Sequence, residues 1–191
     1  MAENNFSWSF KCAGNFAGVT SFKDETGEEQ NFLKIEFFGG RVSVQIGSKV
    51  ADRIADHVPG AGVRVSGELL FNAGNPKPVL KSISFEGDKN YKPLEMSELL
   101  NGMTFEGLAK LGQRATGERD DETRWASVFI TTMGGTMRVP VDPEVLEKLP
   151  PRDSLVYLSG QVFTNIRDVF ADGKSSQVVK NSILVKAAKT F

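Results

Sequence analysis

The sequence predicts an all-β protein with short helices, in which a five-stranded unit occurs twice. Paired landmarks occur in the same order in both halves: Gly39-Gly40 matches Gly134-Gly135, and Ser66-Gly67 matches Ser159-Gly160. Around these landmarks, apolar and polar residues alternate with the period of two that is typical of half-buried strands. An internal repeat of this length indicates two similar domains, because the repeats of solenoid proteins are shorter.

The first half opens with a strand, because Trp8 and Phe10 share one face and polar residues occupy the other. Two further strands flank the Gly39-Gly40 pair, which is typical of a tight hairpin turn. After an intervening helix, the alternation returns in two more segments. The predicted strands of the first half are residues 6–12, 32–38, 41–46, 63–71 and 79–85.

Each half also contains one short predicted helix. Apolar residues fall at helical spacing over residues 48–58, where Ser48 is a candidate N-cap and Pro59 a stop signal. In the second half, a helix is predicted over residues 143–149. Asp142 is its N-cap, and proline occupies its first position, where a missing N–H costs nothing.

The OB fold is a partly open five-stranded barrel. Its elements follow the same order, with three strands, one helix and two strands. We therefore expect two tandem OB-fold barrels, with an unrelated β-barrel or sandwich as the alternative. The first OB-fold domain is predicted at residues 1–86 and the second at residues 102–191. Residues 87–101 between them are predicted to be a linker with a short helix.

The composition is ordinary for a soluble globular protein, and the charge is nearly balanced. There are 23 Lys and Arg against 24 Asp and Glu, a net charge of −1. Any nucleic-acid site must therefore concentrate its cations on one face, because the chain has no general basic excess. Cys12 is the single cysteine, so no intrachain disulfide forms. With no recognisable secretory signal or long apolar run, we expect a cytoplasmic location.

Two segments of the second half resemble bacterial single-stranded-DNA-binding proteins. Residues 154–163 read like the family's fourth strand and lead through a long hairpin to the tip Asp172-Gly173-Lys174, while Trp125–Phe129 looks like its aromatic second strand. The resemblance implies a nucleoid-associated protein that coats and protects single-stranded DNA in replication, recombination or repair. The family's acidic tail tip has no counterpart in residues 186–191. The sequence therefore does not identify which replication or repair proteins are partners.

Single-stranded DNA needs aromatic faces for its bases and cations for its phosphates. The apolar alternation assigns one face of each strand to the core, so the opposite side chains must point outward. The alternative is that they cover a domain or dimer interface. The predicted DNA-binding residues are Phe32, Lys34, Phe38 and Arg41 in the first half and Arg124, Trp125, Phe129, Arg138, Tyr157, Phe163, Arg167, Phe170 and Lys174 in the second.

The second half is expected to bind more tightly, since it contains the outward-facing Trp125 and the longer hairpin. Residues 165–176 are predicted to be a long loop that acts as a mobile clamp. Tandem barrels in this family imply a homodimer that supplies four barrels, and Leu80, Val178 and Leu184 are the candidate apolar contacts. RNA is an alternative ligand, because stacking on bases does not distinguish ribose from deoxyribose.

An enzyme is not expected. The sequence contains one histidine, His57, and one cysteine, too few for a zinc site of the Cys/His type. The Gly-x-Ser-x-Gly and phosphate-loop patterns are absent. We therefore predict no catalytic residues, no metal and no cofactor. The alternative function is an OB-fold protein–protein adaptor or structural component that does not bind nucleic acid.

Overall fold

A computed structural model describes residues 8–23, 27–72, 75–120, 123–132, 135–171 and 174–190, with the backbone alone at residues 72, 165–171 and 174–179. This part of the chain contains ten strands and three short helices. In chain order they are β1 (Trp8–Lys23), β2 (Glu29–Phe37), β3 (Gly40–Ile46), α1 (Ser48–Ile54), β4 (Gly62–Asn72), β5 (Asn75–Phe85), α2 (Met96–Asn101), β6 (Met103–Glu118), β7 (Arg124–Thr132), β8 (Gly135–Val141), α3 (Pro143–Lys148), β9 (Leu155–Ala171) and β10 (Lys174–Thr190).

The first five strands form a closed barrel. β1 pairs antiparallel with both β2 and β4, and β2 pairs antiparallel with β3. β5 pairs antiparallel with β4 and closes the ring through a parallel bridge to β3, between Gln45 and Val79. The helix α1 lies in the chain between β3 and β4, as the order of elements predicted.

The remaining strands repeat this order of pairing. β6 pairs with β7 and β9, β7 pairs with β8, and β10 pairs with both β9 and β8. The two sets of strands are joined because β1 also pairs antiparallel with β6, from Trp8 opposite Gly107 to Cys12 opposite Met103. All ten described strands therefore belong to one hydrogen-bonded sheet.

Two predictions for the first half are wrong in their bounds. β1 does not end near Cys12 but continues to Lys23, because its pairing with β2 resumes beyond a bulge. α1 begins at Ser48 itself, with Gly47 as the N-cap, and ends at Ile54. His57 follows the end of the helix, and its ring stacks on Phe85 with 3.7 Å between centroids.

In the second half, α3 confirms the predicted cap. The Asp142 carboxylate accepts a hydrogen bond from the Glu144 backbone N–H at 3.2 Å, and Pro143 is the first helical residue. The longer second hairpin is also confirmed, with 17 residues in each of β9 and β10 against 11 in each of β4 and β5. The loop predicted over residues 165–176 is wrong, because the two strands stay paired up to Ala171 and Lys174.

The core is centred where β1 meets β6. Trp8 is 2% exposed, stacks on Phe105 at 5.1 Å and meets Phe71 edge-on at 4.9 Å. Its indole N–H donates to the backbone oxygen of Leu108 at 2.8 Å. The ring fits because residue 107 is glycine: a Cβ there would lie 2.3 Å from Trp8 Cγ. Buried side chains from both halves consequently form one apolar cluster.

The predicted linker is fixed to the first half. Arg64 of β4 donates to the backbone oxygens of Lys92 and Pro93, both at 2.6 Å, and pairs with the Glu98 carboxylate of α2. Hydrogen bonding from this guanidinium holds the pKa of Glu98 below its ordinary value. Glu98 also accepts the Glu95 backbone N–H at 2.9 Å, so one carboxylate both caps α2 and anchors it.

Replacing Trp8 with alanine should destabilise the protein by about 3–5 kcal/mol, because a large aromatic side chain is lost from a site shared by both halves. Urea unfolding followed by circular dichroism measures this loss. The control is Trp125→Ala, which removes the other tryptophan from a half-buried surface position. Equal losses in the two variants would contradict the central place assigned to Trp8.

Candidate nucleic-acid interface

The outer face of β7 and β8 carries three of the thirteen predicted DNA-binding residues. Along β7, Ala126, Val128 and Ile130 are buried, so Trp125 and Phe129 point the other way. On β8, Arg138 is directly opposite Phe129 in the strand register. The structure therefore brings together three of the residues predicted from the sequence, and we call Trp125, Phe129 and Arg138 the aromatic platform.

Trp125 is held between a glycine and an arginine. It is opposite Gly117 of β6, and a Cβ on that glycine would lie 2.7 Å from three atoms of the indole. The Arg138 guanidinium lies over the ring, with its central carbon 4.9 Å from the centroid. Arg138 Nε also donates to Ser127 Oγ at 2.7 Å. The guanidinium is consequently fixed by two contacts while its side chain remains exposed.

Phe129 is the open member of the platform, with 37% of its surface exposed. An exposed phenylalanine beside a fixed guanidinium offers two flat surfaces of the kind on which nucleobases stack. Thr131 and Thr136 continue the same face, and their hydroxyls are 2.9 Å apart. The face thus combines stacking surfaces with neutral hydrogen-bonding groups.

In the first half, Phe32 lies on the corresponding outer face of β2. Its ring stacks on Phe22 of β1, with centroids 4.9 Å apart and planes 5° from parallel. The sequence reasoning missed Phe22 because it ended the first strand near Cys12. The position of Phe22 on the outer face follows from the bulge between Phe16 and Gly18, which reverses the faces of β1 and puts Val19 on the core side.

The long hairpin of the second half reaches this face. Lys34 of β2 is opposite Ser43 of β3, and Ser43 is 2% exposed although it is on the outward row. The Ser43 backbone N–H donates to Thr164 Oγ1 of β9 at 3.4 Å. Lys34 itself is half-buried. The first-half face is therefore partly covered at Ser43, whereas Phe129 and Arg138 of the aromatic platform are exposed among the described residues.

Two of the predicted arginines are neutralised by neighbours. Arg41 pairs with the Glu36 carboxylate, and Arg124 Nε lies 3.6 Å from Glu118 Oε1. Both pairs are exposed, so each contributes little to stability. Phe38 is separate from these charges: it occupies the β2–β3 turn, is 68% exposed, and its N–H donates to the Leu99 oxygen of the linker at 3.0 Å.

Tyr157 and Phe163 lie on β9, away from the aromatic platform. Tyr157 is opposite Leu108 and Trp125 is opposite Gly117, which puts about 30 Å of strand between them. Burial raises the pKa of Tyr157, and the neighbouring Glu106 carboxylate raises it further. Phe163 is 43% exposed and precedes Thr164, at the point where the hairpin meets the first half.

The remaining predicted residues, Arg167, Phe170 and Lys174, have side chains outside the described residues. Arg114 of β6 is another arginine of the second half, and its guanidinium donates to the backbone oxygens of Leu146, Leu149 and Pro150 at the end of α3. These hydrogen bonds satisfy backbone oxygens at the end of α3. Arg114 therefore does not add its charge to the outer face on which Arg138 lies.

Other chemistry has little support within the part of the chain that the structure describes. No group of three or more His, Cys, Asp or Glu side chains there is placed to hold a metal ion. Burial raises the pKa of Cys12 to about 12, which leaves its thiol protonated at neutral pH. None of the three described helices has the length and apolar character of a membrane span.

Comparisons with protein-family models and with curated proteins give no match. Among solved structures, the wild-type single-stranded DNA binding protein from Thermus aquaticus is similar at a TM-score of 0.54 and 9% identity, over 97% of this chain and 92% of that chain. A deletion mutant of the same protein is similar at 0.52 and 10% identity, over 97% and 94%.

At such low identity, the likeness concerns the fold. The chain has an OB fold like that of single-stranded-DNA-binding proteins, as the sequence resemblance implied. The individual binding residues stay predictions.

Proposed function

We propose that this protein binds and protects single-stranded DNA through two tandem OB-fold barrels. The observation that carries the proposal is the aromatic platform, where Phe129 and a fixed Arg138 are open to solvent on the outer face of β7 and β8. The repeated order of strand pairing supports the tandem arrangement. We assign the protein no catalytic activity.

The platform supports binding that is largely independent of sequence. Every base has a flat face, so stacking on Phe129 and on the Arg138 guanidinium accepts any of them. Ser127 and Trp125 already hold that guanidinium, so little side-chain freedom is lost when a base arrives. The strand would be held unpaired during replication, recombination or repair, in the cytoplasm where bacterial DNA lies.

The charge pairing of Arg41 and Arg124 affects how this binding depends on salt. A glutamate beside each arginine offsets its attraction for phosphate, so fewer counterions leave the DNA on binding. We therefore propose that stacking supplies a large share of the affinity. Salt should weaken binding, but with a shallow dependence compared with a strongly basic protein.

The proposal predicts that oligothymidine quenches the protein's tryptophan fluorescence. Trp125 is the reporter, since Trp8 is buried and remote from solvent. A titration at low and high salt measures the quenching and the salt dependence. The Trp125→Phe variant, which keeps an aromatic ring, should bind without this quenching. A wild-type protein that does not bind oligothymidine at low salt would contradict the proposal.

We also predict that the second half contributes more affinity than the first. Trp125→Ala should weaken binding about 5- to 150-fold, because the ring supports the Arg138 stacking surface. Phe32→Ala should have a smaller effect, since the hairpin already covers part of its face. Fluorescence anisotropy with labelled oligothymidine compares them, with exposed Val58→Ala as the control. A larger loss for Phe32→Ala would reverse this assignment.

A homodimer with four barrels is part of the proposal. Closed two-fold symmetry is the commonest way for a chain to double its binding surface. Leu80 and Leu184 are half-buried on β5 and β10 and supply apolar contact surface, while the side chain of Val178 is outside the described residues. Light scattering during gel filtration should give twice the 20.9 kDa chain mass. A mass near one chain at micromolar concentration would disprove the dimer.

The second candidate function is a protein–protein adaptor. Phe38, Met96 and Leu100 are exposed apolar side chains, and the Phe38 turn is hydrogen-bonded to the helix that carries the other two. Exposed apolar groups of this kind mark interaction surfaces. The oligothymidine titration separates the two functions, because an adaptor would leave Trp125 fluorescence unchanged. Repeating it with oligouridine shows whether RNA is also bound.

A further inference from the structure

A groove lies beside the aromatic platform and is not used by the stacking proposed above. It runs between the strands β6 and β7 on one side and α3 on the other, and its volume is about 440 Å³. This volume is within the range of small-molecule sites. The groove is lined by Thr116, Gly117, Glu118, Arg124, Trp125, Ala126, Pro143, Leu146 and Glu147.

The lining combines apolar side chains with a hydrogen-bond acceptor. Trp125, Pro143 and Leu146 supply aromatic and aliphatic contact, as a planar ring requires. Glu147 of α3 lines the groove and forms no ion pair with another described residue, whereas Glu118 is paired with Arg124. Negative charge therefore exceeds positive charge in the groove. This excess disfavours a phosphate and favours a neutral ring that donates hydrogen bonds.

We infer that this groove binds one unpaired guanine base of the single strand, with the Glu147 carboxylate accepting its two adjacent N–H groups. The inference rests on the proposed function. An ionised carboxylate only accepts hydrogen bonds. Guanine presents N1–H and N2–H side by side on its Watson–Crick edge, which matches the two carboxylate oxygens.

The other bases fit this acceptor less well. Adenine and cytosine present one amino group beside a ring nitrogen that is itself an acceptor, and thymine presents one N–H between two carbonyl oxygens. Each would put an acceptor against the carboxylate. The expected affinity of the groove is therefore highest for guanine, lower for adenine and cytosine, and lowest for thymine.

The groove is continuous with the aromatic platform through Trp125. One part of the indole lies under Arg138, and the same residue lines the groove. A strand that stacks a base on Arg138 can thus place a neighbouring base beside Glu147. The protein would tolerate any base along the platform and prefer guanine at one position.

The test compares labelled oligothymidine with the same oligonucleotide carrying a single internal dG, dA or dC. Fluorescence anisotropy should show that one dG raises the affinity at least about fivefold, since a bidentate contact discriminates by about 5- to 150-fold. One dA or dC should raise it less. The Glu147→Gln variant replaces one of the two acceptor oxygens with an NH2 donor, which cannot accept the second guanine N–H. The higher affinity for the dG oligonucleotide should therefore disappear, while the affinity for oligothymidine stays the same.

Glu144→Gln is the matched control, because Glu144 is an exposed glutamate of the same helix that does not line the groove. It should keep the dG advantage. Equal affinity of the wild-type protein for all four oligonucleotides, or an unchanged dG advantage in Glu147→Gln, would overturn the inference. Neither result affects the proposed function, which fails only if plain oligothymidine is not bound.

Discussion

The antiparallel pairing of Trp8–Cys12 with residues 103–107 joins the two sets of strands, and the rest of the molecule is arranged around it. The pairing is possible because Gly107 lets Trp8 lie directly on the backbone of β6, where its ring stacks on Phe105. The apolar clusters of the two halves merge at this point. A shared core gives the two outer faces a fixed relation, so a ligand that contacts both finds them already positioned.

The two outer faces are built alike but are presented differently. Phe32 stacks on Phe22, and Ser43 of the same face contacts the hairpin of the second half, whereas Phe129 and Arg138 are exposed. The ion pair between Arg64 and Glu98 holds α2 against the first half. One chain thereby combines a partly covered face with an open one, which is the physical basis for assigning them unequal affinity.

The charge distribution bears on the proposed binding of single-stranded DNA, because the net charge of the protein is −1. Arg41 and Arg124 are paired with glutamates, and Arg114 is committed to the end of α3, while Arg138 is held over an indole. A guanidinium in that position acts as a flat surface as well as a cation. Under the proposed function, affinity would depend on planar contacts more than on the number of cations.

The sequence by itself determined the repeat, the strand faces and the α3 cap, because alternation and capping are local properties visible within a few residues. It therefore predicted Trp125, Phe129 and Arg138 as outward side chains. Only the tertiary structure decided that Arg138 lies over Trp125, that Tyr157 lies far from both, and that β1 continues to Phe22 and beyond. These outcomes depend on strand register and on a bulge in β1, which are set by pairing between segments distant in the chain.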